Sequence, residues 1–253
     1  MRRGGVAAAT CVVLAARSLS AVSATGRVVP LRVGQASAVA QLVSDAFPLS
    51  SPHSWARALG MEGGMVPYMT AYLEKQLGLE EDKSFGLVSA ECQDSDLCGA
   101  LIVESHEWKD HTNLATPTEL TEYSSYGAIE AILAECERHF SLAVDSSPSL
   151  SRLRAREPRG RYGYLAWMAT KASHRGQGVA HRLLEHGTTA LAARPDVLVA
   201  VGYTVSPAAT RVFKRQGYSS LATIKYSEFE YLGRKPFAIL PDEISVMVKT
   251  LRE

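Results

Sequence analysis

The fold is decided by the stretch Arg175-Gly176-Gln177-Gly178-Val179-Ala180, which joins a predicted strand to a predicted helix through two glycines. The first turn of a helix has unpaired backbone N–H groups, and glycines let an anion approach without a Cβ in the way. Each negative charge held there gains roughly 0.3–1 kcal/mol, or up to about 2 kcal/mol where it is partly buried. Arg175 and Lys171 would add charge-assisted hydrogen bonds. The stretch predicts a diphosphate site, although two glycines also suit a plain tight turn.

Two common phosphate-binding folds do not fit this stretch. A dinucleotide fold has Gly-x-Gly-x-x-Gly, whereas only Gly176 and Gly178 are present here. A Walker loop has a Gly-Lys-Ser/Thr sequence, and none follows. The anion site therefore belongs to a different fold class.

The residues on both sides of the stretch alternate between strand and helix patterns. Tyr162 to Thr170 is rich in aromatic and branched residues and predicts a strand. Apolar residues at helical spacing predict the helix that follows, with an inner face of Val179, Leu183, Leu184, His186, Ala190 and Leu191. The predicted elements after it are a strand at Val197 to Thr204, a helix at Pro207 to Gln216, and strands at Tyr218 to Tyr226 and Ile244 to Leu251.

The N-terminal half shows weaker patterns of the same kind. Ser84 to Cys92 and Leu97 to Glu104 predict a β-hairpin, because two apolar runs flank four polar residues. The other predicted elements are a strand at Val28 to Arg32, helices at Ala36 to Phe47, Met65 to Leu77 and Thr118 to Ser141, and loops at 48–64 and 145–159. This order predicts an α/β or α+β fold, a mixed sheet with helices on both faces.

Arg175, Gly178 and Ala180 resemble the Arg/Gln-x-x-Gly-x-Gly/Ala motif of the GNAT acetyltransferases. Ser206 stands where that family usually has an asparagine, and 213–218 (Phe-Lys-Arg-Gln-Gly-Tyr) resembles the family's aromatic-x-x-x-Gly-aromatic ending. The resemblance implies the GNAT fold over residues 27–253, with a mixed central sheet of six to seven strands.

The resemblance also implies an N-acetyltransferase that uses acetyl-CoA and no metal. The family's pantetheine-pairing strand corresponds to Trp167, Met168, Ala169 and Thr170. The implied cofactor-binding residues are Met168, Ala169, Thr170, Arg175, Gly176, Gln177, Gly178, Val179, Ala180, Ser206 and Phe213.

The C-terminal part, with 224–229 and Met247-Val248-Lys249, is similar to the arylalkylamine branch of the family. That branch has a glutamate base where this chain has Ser51, and many members have a tyrosine acid where it has Phe213. We expect His53, next to Ser51, to relay the amine proton through water, since its reference pKa is near 6.5. A surface loop histidine is the alternative.

Other side chains are second candidates for the acceptor half of the site. Glu104 and His106, near the end of the hairpin, are further possible proton acceptors, and Glu104 equally fits an exposed strand-end charge. Trp55 and Tyr226 are predicted acceptor contacts, with core packing as the alternative for both. The acceptor is a small amine or a peptide amine. Without the usual base and acid, a non-catalytic acyl-CoA sensor also stays open.

Composition excludes several other partners. The chain has 253 residues, 46% hydrophobic, with a net charge of +1, so no global field attracts nucleic acid. Residues 1–26 resemble a signal or transit segment, with small residues at Val22-Ser23-Ala24. Its apolar run is shorter than the roughly 20 residues of a membrane span. We expect secretory or organellar targeting, with a basic tail on a cytoplasmic enzyme as the alternative.

The cysteines show no metal-ligand spacing. Cys92 and Cys98 flank the predicted hairpin turn, where they would be either two buried thiols or a disulfide.

Overall fold

The structure is a computed structural model that describes residues 27–48, 51–61, 64–77, 84–90, 97–108, 124–241 and 243–252. Within these ranges, seven strands form one sheet in the order β1-β2-β3-β4-β5-β7-β6. The strands are β1 Arg27–Pro30, β2 Ser84–Ala90, β3 Leu97–Glu107, β4 Arg161–Thr170, β5 Val197–Thr204, β6 Ser219–Lys225 and β7 Glu243–Thr250. The helices are α1 Ala36–Ala46, α2 Trp55–Ala58, α3 Val66–Leu77, α4 Ser125–Ser146, α5 Pro148–Arg156, α6 Val179–Ala192 and α7 Pro207–Arg215.

The sheet is mixed because of one connection. β4 and β5 are parallel and are linked by α6, whereas the other neighbouring strands pair antiparallel. A parallel pair needs a crossover of this kind, since its two strands run in the same direction. The predicted mixed sheet is therefore confirmed, and the glycine stretch lies at the carboxyl end of β4, where the crossover begins.

Helices cover both faces of the sheet, as predicted. On one face, α1, α3 and α4 pack on a large core that includes Ile102, Trp167 and Val201. On the other face, α6 and α7 pack on a smaller core that includes Leu101 and Leu165. We call these the α4 face and the α6 face.

Two predicted loops contain helices. The loop predicted at 145–159 is wrong, because α5 occupies Pro148–Arg156. Pro148 lies in the first turn of α5, where proline is favoured. Leu150 and Leu153, three residues apart, are buried on one side of the helix. The predicted loop at 48–64 contains α2, whose first turn is capped by the Ser54 side chain.

Two sequence predictions, the targeting segment and the cysteine pairing, fall outside the described ranges in whole or in part. Residues 1–26 lie outside them, so the targeting segment stays a prediction. Cys98 is buried, whereas Cys92 lies outside, so their pairing also stays a prediction. Within the described ranges, no helix combines the length and apolarity needed to cross a membrane.

Candidate active site

The parallel strands β4 and β5 separate before β4 ends. Their pairing runs from Arg161–Val197 to Leu165–Gly202, and the structure gives no later pair in these fully described strands although β4 continues to Thr170. A bulge marks the same place, since Ile102 of β3 pairs with Trp167 and the next pair skips Ala166. Backbone groups of β4 that face the opening need other partners. This edge of 166–170 is therefore suited to pair with an extended ligand chain.

The glycine stretch opens the start of α6 next to that edge. Gly176 and Gly178 have φ of 78° and 77°, in the left-handed region that favours glycine. Gly178 is the N-cap residue of α6, no side chain caps the helix, and its first turn contains no acid. Arg182 holds the loop, because its Nη1 donates to the carbonyl oxygen of Gln177 at 2.9 Å. The arrangement leaves backbone N–H donors directed towards solvent, as an anion site requires.

The predicted cofactor residues share this region of the sheet. Met168, Ala169 and Thr170 form the end of β4, which pairs with β3 but not with β5, and residues 175–178 form the exposed loop before α6. Ser206 caps α7, since its Oγ accepts from the backbone N of Ala209 at 3.3 Å. The assignment of these residues to CoA stays a prediction.

Phe213 has a packing position on the α6 face. It is buried, and its ring lies 4.9 Å from that of Tyr218. The absence of a side chain at Gly202 makes room for the ring, since a Cβ there would lie 2.3 Å from Phe213 Cε1. The residue carries no hydroxyl, so it has no proton to give at the place where many family members have a tyrosine.

A buried acid lies on the α4 face. Glu104 is 7% exposed and pairs in register with Tyr164 of β4. The Tyr72 hydroxyl of α3 donates to Glu104 Oε1, and His106 Nε2 lies 2.8 Å from Oε2. The alternative of an exposed strand-end charge is wrong for Glu104, because α3 covers it.

Tyrosine rings connect this acid with the place where β4 and β5 separate. The Tyr164 ring lies 4.7 Å from that of Tyr203 on β5 and 6.2 Å from that of His106. Burial raises the pKa of Tyr164 well above its ordinary value, and the nearby charge of Glu104 raises it further. The pKa of Tyr72 is raised for the same two reasons. Both hydroxyls therefore remain protonated near neutral pH, and the Tyr72 hydroxyl donates its hydrogen bond to Glu104.

The two predicted acceptor residues meet in an aromatic layer on the same face. Trp55 Nε1 donates to the Tyr226 hydroxyl at 2.9 Å, and each residue is only 1% exposed. The Trp55 ring lies 6.2 Å from that of Trp167, in the part of β4 that does not pair with β5. Trp55 and Tyr226 therefore lie next to the place where β4 and β5 separate. Both side chains are packed in the core, which was the alternative to a role as acceptor contacts.

His53 and Ser51 lie in the loop before α2. The Ser51 Oγ accepts from the backbone N of His53 at 3.3 Å, so the serine supports the loop. His53 is partly buried, two residues before Trp55. It lies on a different element from Glu104, and its relay role stays a prediction.

Sequence reasoning missed Tyr72 and Tyr203, and singled out no role for Tyr164. The contacts of all three with Glu104 or with each other depend on the strand register and on the packing of α3. Neither is visible in a single sequence. In the described ranges, no three metal-ligating side chains come together.

Comparisons with known proteins point to one family. Residues 108–228 match the model of the acetyltransferase (GNAT) domain. No curated protein matches the sequence.

Solved structures share the fold at low identity. Arylalkylamine N-acetyltransferase 2 from Aedes aegypti matches with a TM-score of 0.68 and 16% identity, covering 90% of this chain and 99% of that chain. The polyamine N-acetyltransferase of Drosophila melanogaster matches with a TM-score of 0.60 and 14% identity, over 89% and 99% of the two chains. NAA60 of Arabidopsis thaliana, in complex with acetyl-CoA, gives 0.53 and 11%, over 89% and 98%. The expected fold is confirmed.

Proposed function

We propose that the chain transfers the acetyl group of acetyl-CoA to a small primary amine, because residues 108–228 match the model of the acetyltransferase (GNAT) domain. The observation that carries this proposal is the uncapped start of α6, opened by Gly176 and Gly178 beside the unpaired edge of β4. Both substrates are bound together, and the amine attacks the thioester directly.

The chain's own residues account for binding of the acyl donor. The backbone N–H groups at the start of α6 hold the diphosphate, and Arg175 adds a charge-assisted contact. The edge of 166–170 pairs with the amide groups of the pantetheine arm. Acetyl-CoA supplies an activated carbonyl, so the protein has to position the amine and receive its protons.

Positioning provides most of the required rate. Holding two reactants in the correct geometry lowers the barrier by about 7–11 kcal/mol, whereas one general base contributes about 10²–10⁴-fold in rate. A chain with Ser51 and Phe213 at the usual base and acid positions therefore keeps substantial activity. Its proton acceptor has to come from other residues.

The specific acceptor in this proposal is an arylalkylamine. The aromatic layer of Trp55, Trp167 and Tyr226 favours an amine with a ring, and similar folds occur in enzymes named for arylalkylamines and for polyamines. A peptide or protein amine is the rival within the same reaction. Residues 1–26 are proposed as a removable leader, so the enzyme acts in the secretory pathway or an organelle, with the cytoplasm as the alternative.

A second candidate is a non-catalytic acyl-CoA sensor. Two observations favour it: Ser51 lacks a carboxylate, and Phe213 lacks a hydroxyl at the positions of the usual base and acid. Such a protein would bind acetyl-CoA without consuming it.

The test incubates residues 27–253 with acetyl-CoA and a panel of arylalkylamines, polyamines and lysine peptides, and measures free thiol against a no-amine control. Amine-dependent thiol release with acetylated product supports the enzyme, and the preferred amine identifies the acceptor class. Thermal stabilisation by acetyl-CoA without thiol release from any amine would refute the enzyme and support the sensor. Neither stabilisation nor release would refute both.

A further inference from the structure

Glu104 stands apart from the other charged residues of the structure. Among the described residues, Glu104 is the one buried acid. The other buried polar side chains there carry hydroxyls or an amide. An ionised carboxylate out of water is costly unless hydrogen bonds and a counter-charge compensate it. A buried acid with specific partners beside an opening is a mark of a functional site.

Two side chains of the described residues contact the Glu104 carboxylate. Tyr72 donates one hydrogen bond to Oε1, and the imidazole of His106 lies at Oε2. Among the described residues, His106 is the one cationic or potentially cationic side chain in contact with this carboxylate, and it is 30% exposed to solvent. The pair thus joins a buried carboxylate to a partly exposed imidazole.

The register places this pair close to the point where β4 and β5 separate. Glu104 lies opposite Tyr164, and the last β4–β5 pair, Leu165–Gly202, follows at the next residue. Glu104 is therefore one strand away from the opening, on the α4 face. Tyr164 and Tyr203 lie between, with their rings in contact.

We propose that Glu104 accepts the proton of the attacking amine through an intervening water and that His106 passes this proton to solvent. The proposal rests on the proposed acetyl transfer. Tyr72 is a positioning residue, since it acts by holding Glu104. His53 is the competing candidate, from the loop before α2.

The protons balance in this scheme. The amine arrives as an ammonium ion and gives one proton to Glu104, which frees the nitrogen lone pair. The nitrogen–carbon bond forms as the carbon–sulfur bond breaks, and the second nitrogen proton ends on the thiolate of CoA. The first proton leaves through His106, so Glu104 is again a carboxylate for the next turnover.

Several titratable groups surround Glu104. They come from α3, from β3, from β4 and, one layer further, from β5 and α4: Tyr68, Tyr72, His106, Tyr162, Tyr164, Tyr203, Glu130, Cys136 and Glu137.

The test is the pH dependence of kcat/KM from pH 6 to pH 10 for the wild type and for Glu104→Gln. At pH 7 the variant should lose about 10²–10⁴-fold. The loss should shrink by about tenfold per pH unit, because the free amine becomes abundant near the pKa of a primary amine, about 10. The matched control is Glu107→Gln, an exposed acid of the same strand, which should keep the wild-type profile.

Further variants separate catalysis from structure. His106→Gln should lower kcat/KM less than Glu104→Gln does and shift the pH profile, with unchanged affinity for CoA. If Glu104→Gln does not fold, His106→Gln carries the test, since its ring is partly exposed. A loss that is the same at every pH, or a profile that changes with His53→Ala and with neither of these two, would overturn the relay. If the wild type releases no thiol, acetyl transfer itself fails, and the relay fails with it.

Discussion

Gly178→Glu tests the diphosphate site at its centre. Gly178 is the N-cap residue of α6, with φ 77° and ψ 8°. Any side chain in this left-handed conformation costs about 1–2 kcal/mol of folding free energy. The new Cβ would lie 3.3 Å from Arg182 Nη1, which is the movable end of a side chain. The substitution should therefore lower stability modestly and leave the protein folded.

The effect on ligand affinity should be larger and electrostatic. A carboxylate about 5 Å from one phosphate charge repels it by roughly 1–3 kcal/mol, for effective dielectric constants between about 80 and 20. That range corresponds to a loss of CoA affinity of about 5- to 150-fold. Partial neutralisation by Arg182 would bring the result towards the lower end.

The assay is calorimetric titration with CoA and, separately, with pantetheine, which has no diphosphate. Gly178→Glu should weaken CoA binding by the stated factor and leave pantetheine binding within about twofold. Gly233→Ala is the matched control, because it adds the same kind of backbone strain at φ 70° with open space around the new Cβ, outside the predicted cofactor residues. An equal loss for both ligands, or full CoA affinity in Gly178→Glu, would refute the diphosphate assignment.

Three further predictions concern stability and location. Gly202→Ala should destabilise the fold by about 1–3 kcal/mol in urea titrations, because its Cβ would meet the buried Phe213 ring, whereas Gly34→Ala, with open space, should not. Burial and the charge of Glu104 raise the Tyr164 pKa. The contribution of the Tyr164 hydroxyl to the free energy of unfolding is therefore complete below about pH 10 and falls above it by about 1.4 kcal/mol per pH unit. Tyr164→Phe should reduce this loss of stability at alkaline pH, and an unchanged slope would contradict the prediction. Residues 1–26 fused to a fluorescent protein should be removed on import into the secretory pathway or an organelle, and an intact cytoplasmic fusion would contradict the leader.

The half of the fold around the glycine stretch could be predicted because its signals are local. The strand predicted at Val197 to Thr204 matches β5, and the predicted start of α6 at Val179 is confirmed. These signals are the apolar periodicity, the glycines and a proline at a helix start. Each of them can be recognised in a short stretch of sequence. α5 was missed for the opposite reason, since two buried leucines are too few to show a period in a basic segment with prolines.

Glu104 was a candidate from the sequence, but its partners could not be predicted, because they come from distant segments. Glu104, Tyr72 and Tyr164 lie on β3, α3 and β4, and the strand register alone brings the acid opposite Tyr164. A shift of one residue in that register would turn Glu104 to the α6 face, away from Tyr72. The bulge at Ala166 has the same kind of effect, since it turns both Ala166 and Trp167 towards the α4 face. Most of the proposed donor site thus lies in one continuous segment, whereas the proposed proton path depends on the register between strands. For this reason a family motif can identify the acyl donor of this chain without identifying its base.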